Sequence, residues 1–150
     1  MSNNPLSDFV ALIKEDLIHS LQSYKRVATG RTIEALEQVD EDRRSTLYGP
    51  EYIDNLEFGR KPTPEGTPAG DPTLVEAISN GWLQARGIPL GKAWAVANSI
   101  HKNGYSGTPG VLTTPLGDDN INKRLDETVN QLAELTAVEI ADSLHIVEAA

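Results

Sequence analysis

The strongest constraint on the fold is a proline-rich stretch in the middle of the chain. Residues 60–72 include Pro62, Pro64, Pro68 and Pro72. Proline has no backbone N–H and its ring clashes with the preceding helical turn, so it is excluded from helix interiors and central strands. The stretch therefore predicts an extended loop between the helical patterns on either side of it.

Apolar residues at spacings of three and four predict amphipathic helices on both sides of this loop. The predicted helices cover residues 6–27, 50–58, 73–86, 90–102 and 118–147. The last has the longest apolar stripe, which consists of Ile121, Leu125, Val129, Leu132, Thr136, Ile140 and Leu144. A second loop, rich in Gly, Thr and Pro, is expected at 105–117.

Residues 32–48 have a mixed period. A β-hairpin fits their content of Ile, Val, Leu and Tyr, and a short helix at 32–38 fits almost equally well. The predicted fold class is α+β, with helices packed on a small antiparallel sheet or hairpin near 32–48. A chain of 150 residues is long enough for one domain over 1–150, with residues 118–150 either part of it or a separately docking extension. Its two Trp, four Tyr and two Phe are expected to anchor the core.

The charge distribution limits the partners that the chain can have. The net charge is −9, and the acidic excess lies in residues 31–60 and 116–150. Tight nucleic-acid binding needs clustered Lys and Arg and is therefore not expected, although DNA passing along a negative surface without binding is compatible with this charge. No secretion signal is expected at the N-terminus, and no apolar run approaches the roughly 18 residues of a membrane span, so no membrane partner is expected.

The residues that usually carry catalysis or metal binding are sparse. Absence of cysteine excludes disulfides, thiolate metal sites and Cys nucleophiles. His19, His101 and His145 fall on three different predicted helices, so no pair has metal-ligand spacing, and His101 is expected to be a packed, hydrogen-bonded histidine. Segments 87–92 and 118–129 lack residues that a phosphate loop and a calcium loop require. No catalytic, cofactor-binding or metal-binding residue is predicted, and the chain is not expected to be an enzyme.

The segment after the predicted helix at 50–58 is the candidate assembly interface. Arg60 and Lys61 give a basic edge in an acidic chain, and the prolines beside them reduce the entropy lost when the loop docks. A helix end with exposed basic residues is the simpler alternative. The predicted interface combines this segment with the second loop and consists of Glu57, Phe58, Gly59, Arg60, Lys61, Pro62, Pro64, Tyr105, Thr108 and Pro109.

Four short motifs resemble the neck or tail-completion proteins of long-tailed bacteriophages. They are TGRTI at 29–33, the LEFGRKP sequence at 56–62 preceded by Tyr52, WAVANSIHKNG at 94–104 and GTPGVL at 107–112. The resemblance covers much of residues 26–115 and does not include the predicted C-terminal helix.

The resemblance implies a small α+β subunit that works without catalysis. Such subunits form a ring, most often sixfold, between the head connector and the tail tube of the virion, and DNA crosses the lumen. Partners would be copies of the chain itself together with the connector and tail-tube proteins, and no cofactor is implied. The alternative function is a cytoplasmic helical adaptor or regulator that binds a partner through its C-terminal amphipathic helix.

Overall fold

The computed structural model describes residues 4–24, 30–64 and 82–149, with the side chains of the last helix described as far as Leu144. Within these ranges there are seven α-helices and one antiparallel hairpin, which confirms the α+β class. In chain order they are α1 (Pro5–Ser23), α2 (Arg31–Glu34), β1 (Glu37–Glu41), β2 (Arg44–Tyr48), α3 (Asp54–Phe58), α4 (Leu83–Ala85), a 3-10 turn (Leu90–Lys92), α5 (Ala93–Asn103), α6 (Thr113–Leu116) and α7 (Asp118–Ala149).

Helix α1 is the central element, and it contacts the hairpin, α6 and α7. It begins at Pro5 because the Asn4 side chain accepts hydrogen bonds from the backbone N–H groups of Leu6 and Ser7 at 3.1 and 3.4 Å. The helix ends at Ser23; residues 25–27, the end of the predicted helix, lie outside the described residues.

The hairpin resolves the ambiguity at 32–38, since each alternative holds for part of that range. Residues 31–34 form one helical turn, and the chain then enters β1, which pairs with β2 from Glu37 opposite Tyr48 to Glu41 opposite Arg44. The Ser7 hydroxyl donates to Asp40 Oδ2 at 2.7 Å and ties the start of α1 to the hairpin.

The buried core is aliphatic and falls into two clusters. The larger consists of Leu17, Leu21, Leu36, Val111 and Leu112. The smaller joins α4 to α5 and consists of Leu83, Ala93 and Ala97. Ser20 Oγ, on α1, donates to the Val111 carbonyl at 2.7 Å, so the segment before α6 is held against α1 by both packing and a hydrogen bond.

The expectation that aromatic residues anchor the core is wrong. All eight lie in the described ranges, and none is buried. Six are exposed, namely Tyr24, Tyr48, Tyr52, Phe58, Trp94 and Tyr105. Aliphatic side chains from α1 and from the segment before α6 fill the interior instead. Phe9 and Trp82 are half-buried, and Trp82 packs against the smaller cluster.

Several predicted helices have different bounds in the structure. The 50–58 helix is shorter, because residues 51–53 form a turn before α3. Of the predicted helix at 73–86, residues 73–81 lie outside the described residues and α4 occupies 83–85. The 90–102 helix is a 3-10 turn followed by α5, and the 118–147 helix extends to Ala149. The predicted loop at 105–117 contains α6, a single helical turn.

Helix α7 is anchored to α1 near its N-terminus by polar contacts. Asp16 accepts hydrogen bonds from Arg124 Nε at 2.7 Å and from Asn120 Nδ2 at 2.8 Å. These bonds, the Arg124 bond first, lower the pKa of the Asp16 carboxyl against the opposing effect of burial. Among the helices that the structure describes, none combines the length and apolarity needed to cross a bilayer.

Candidate assembly surface

The two loops predicted from the sequence to form an interface lie against each other. Arg60 and Tyr105 exchange both backbone hydrogen bonds at 2.9 Å and form an antiparallel bridge. On either side of it, Thr63 N donates to the His101 carbonyl and Thr108 N to the Leu56 carbonyl, each at 2.8 Å. We call residues 56–64 and 101–113 the paired loops. Four backbone hydrogen bonds join them, so they form one unit.

Two glycines allow the paired loops to approach this closely. Gly59 and Gly104 have φ angles of +76° and +64°, in the left-handed region that favours glycine. A Cβ on Gly59 would overlap the Tyr105 carbonyl oxygen, and one on Gly104 would overlap the Arg60 carbonyl oxygen. The glycine after the predicted 50–58 helix is therefore required by the loop contact as well as by the helix end.

Glu57 is the buried polar group that holds the paired loops together. Its side chain is 7% exposed and accepts hydrogen bonds from the backbone N–H groups of Gly110, Leu112 and Thr113 at 3.2, 2.8 and 2.7 Å, and from the Thr113 hydroxyl at 2.6 Å. Burial raises the pKa of this carboxyl, but the hydrogen bonds from Thr113, Leu112 and Gly110 outweigh it and leave the pKa below its ordinary value. The carboxylate also caps the N-terminus of α6, where a negative charge is favourable.

The paired loops present an aromatic and basic surface to solvent. Phe58 is 72% exposed and Tyr105 is 41% exposed. Among the other predicted interface residues, Lys61, Pro62, Pro64 and Pro109 are also exposed, while Gly59, Arg60 and Thr108 are half-buried. We call Phe58, Arg60, Lys61 and Tyr105 the loop edge. The structure brings all ten predicted residues into the paired loops, with Glu57 inside as support and the rest reaching the surface.

The structure tests the prediction for His101, which lies in the paired loops. His101 is half-buried, and its Nδ1 lies 2.7 Å from Thr63 Oγ1, which confirms a packed, hydrogen-bonded histidine. His19 is exposed, and the His145 side chain lies outside the described residues.

The partners of Glu57 are the part of the site that sequence reasoning missed. Three of the four groups that Glu57 binds are backbone N–H groups, which every non-proline residue has, so no side-chain motif marks them. The available signal was the position of Glu57 itself, an acidic residue between Leu56 and Phe58. It indicates a carboxylate close to an apolar face but does not identify its partners.

A wide cleft of about 800 Å³ lies between α1 and the start of α7. Its titratable lining residues are Asp16, His19, Tyr24, Asp118, Asp119 and Lys123. Throughout the described ranges, no three His, Asp or Glu side chains are grouped as ligands for a metal ion.

No protein-family model, no curated protein and no solved structure matches this chain. Functional inference therefore depends on the paired loops, the exposed surfaces and the motifs quoted above.

Proposed function

We propose that the chain is a non-enzymatic structural protein of a bacteriophage virion, a neck or tail-completion subunit. Copies of it form a ring, sixfold as the resemblance implies, that joins the head connector to the tail. Its partners are its own copies, the connector or adaptor protein and the tail-tube protein. DNA passes through the lumen without specific binding.

The observation that carries the proposal is that the loop edge is exposed while the backbone of the paired loops beneath it is held in place by hydrogen bonds. A phenylalanine that is 72% exposed leaves a large apolar ring in water, and aromatic and arginine side chains are enriched where protein surfaces bind each other. The backbone beneath Phe58 is fixed by the Arg60–Tyr105 bridge and by Glu57. A surface already ordered before binding loses little conformational entropy on docking.

The charge of the chain supports the second part of the proposal. Each subunit has a net charge of −9, so a ring of identical subunits is strongly negative. DNA phosphates are therefore repelled from its wall rather than held there. The acidic hairpin and α7 supply most of this charge, whereas the loop edge is basic.

Substitution of Phe58 tests the proposal. Phe58→Ala is expected to reduce assembly, measured as the mass of the purified protein by light scattering and as incorporation into virus particles. Tyr48→Ala, at a tyrosine that is 52% exposed on β2, is the matched control and should assemble normally. A wild-type chain that is strictly monomeric and absent from particles would contradict the proposal.

The exposed apolar side of α7 favours a second function, an adaptor in which this helix binds a soluble partner. Leu132, Ile140 and Leu144 are 43, 57 and 63% exposed. Removing residues 131–150 keeps the anchored first turns of α7 and distinguishes the two functions. Loss of a soluble partner with normal particle assembly would favour the adaptor.

A further inference from the structure

The apolar stripe of α7 is exposed from Leu125 onward. The side that contacts α1 is polar, with Asn120 and Arg124 bound to Asp16, and Thr128 is buried at 5% exposure. The exposed residues of the stripe are Leu125, Val129, Leu132, Ile140 and Leu144. An amphipathic helix normally buries its apolar side against the core. In α7 that side is left uncovered by the described part of its own chain.

The uncovered part of α7 is long enough to reach another molecule. Every side chain from Val129 to Leu144 is exposed. At 1.5 Å per residue, the helix from Val129 to Ala149 is about 30 Å long. We call residues 129–149 the arm.

Charge determines which surface can cover the arm. The arm contains four acidic residues, Glu134, Glu139, Asp142 and Glu148, and neither Lys nor Arg. Two arms packed on each other would place carboxylates together, which is unfavourable. A favourable partner surface must combine apolar area with positive charge. The loop edge has both, because Phe58, Lys61 and Tyr105 are exposed and Arg60, next to Lys61 in sequence, is bridged to Tyr105 through the backbone.

We propose that the arm of one copy docks through its apolar stripe on the loop edge of a neighbouring copy. This contact joins two different surfaces of the same chain, so each copy gives an arm and receives one. Such head-to-tail contacts close into a ring when the rotation between copies permits it. The inference deepens the proposed ring-forming function and rests on it.

Single cysteines provide a direct test, because the chain has none of its own. Ile140→Cys on the arm and Pro62→Cys beside the loop edge are prepared separately, mixed, and treated with a bismaleimide. Cross-linking between the two variants is expected. Arg43→Cys, in the exposed turn of the hairpin, replaces Pro62→Cys as the matched control and should give little product. Product between two copies of the Ile140→Cys variant alone, or no product with Pro62→Cys, would overturn the proposal.

Substitutions of the stripe and of the charges provide the second test. For this test the cysteine on the arm is Leu144→Cys, and it is cross-linked to Pro62→Cys as before. Adding Leu132→Asn and Ile140→Asn to the arm should reduce the yield at least about tenfold, because two apolar contacts are lost. Asn130→Gln with Ala141→Gln, off the stripe, should leave it unchanged. Lys61→Glu should lower the yield by up to about fivefold, and Glu139→Lys should restore it. Equal loss from the on-stripe and off-stripe pairs would overturn the proposal.

The outcomes separate this inference from the proposed function. Particles that incorporate a chain lacking residues 131–150 at the normal level would overturn the arm contact and leave the virion function standing. A chain that cross-links arm to loop edge but never enters particles would support the arm contact and contradict the virion function.

Discussion

Replacing Glu57 by glutamine removes the charge from the carboxylate that joins α3 to the start of α6. In the Glu57→Gln variant, the amide oxygen can still accept from the N–H groups of Leu112 and Thr113. The amide NH₂ then takes the place of the oxygen that accepted from the Gly110 N–H. Since both groups are donors, that hydrogen bond is lost. The Thr113 hydroxyl can rotate to accept instead of donate.

The cost follows from these bonds. A hydrogen bond to a charged group contributes about 1.5–3 kcal/mol and a neutral one about 0.5–1.5 kcal/mol. Losing one bond and the charge on the others predicts that Glu57→Gln lowers the free energy of unfolding by about 2–3 kcal/mol, which is less than the sum of the separate bonds because bonds that share one carboxylate are not additive. Glu57→Ala leaves all four donors without the carboxylate and should cost about 3–5 kcal/mol. For 150 residues, the glutamine change corresponds to a fall in Tm of roughly 4–12 °C.

The pH dependence gives an independent test of the same bonds. The pKa of Glu57 is lower in the folded chain than in the unfolded chain. Its stabilisation is therefore complete at neutral pH and is lost as the pH falls through the folded-state pKa. The stability difference between the wild type and Glu57→Gln should be largest near pH 7 and should shrink on acidification below about pH 4.

Urea unfolding followed by circular dichroism at several pH values measures both effects. Glu51→Gln, at an exposed glutamate in the turn before α3, is the matched control and should change stability by less than about 0.5 kcal/mol. A cost for Glu57→Gln no larger than that of this control, or a difference that does not change with pH, would refute the role assigned to Glu57.

Further predictions concern the loop contact, the base of α7 and the core. Gly59→Ala should destabilise the fold by more than about 2 kcal/mol, because the new side chain would meet both a positive φ and backbone overlap. Gly87→Ala, with φ +68° and open space around it, should cost only about 1 kcal/mol, and thermal unfolding compares the two variants. Arg124→Ala should lower the free energy of unfolding by about 1–3 kcal/mol, since its ion pair with Asp16 is about 80% buried. Arg44→Ala, in an exposed pair with Glu41, should lower it by less than about 0.5 kcal/mol, and urea unfolding measures both. In urea unfolding of the unassembled chain, Leu21→Ala should cost about 2–5 kcal/mol, because Leu21 is fully buried. Leu144→Ala should cost almost nothing there, because Leu144 is 63% exposed in the single subunit.

The long periodic helices could be predicted from the sequence, and the single turns could not. Helix α7 spans about nine turns, so its apolar stripe repeats often enough to be recognised. Helices α2 and α6 have four residues each, which is too short for a period to appear. Residues 32–38 could not be assigned to one type because they are helical at the start and extended at the end.

The location of the paired loops could be predicted, because glycine and proline mark them in both segments. Their mutual contact could not, since backbone hydrogen bonds such as those between Arg60 and Tyr105 leave no side-chain pattern. The placement of the aromatic residues was predicted wrongly for a related reason. Composition shows that a ring is apolar, but it does not show whether its own chain or a neighbouring molecule covers it.

The most direct test of the assembly function is localisation of the chain in virus particles. Particles from cells that encode it are labelled with a gold-conjugated antibody and imaged by electron microscopy. The account predicts label at the joint between head and tail, lost in particles assembled with the Phe58→Ala chain. Label that is absent from the particles, or dispersed over capsid and tail alike, would contradict it.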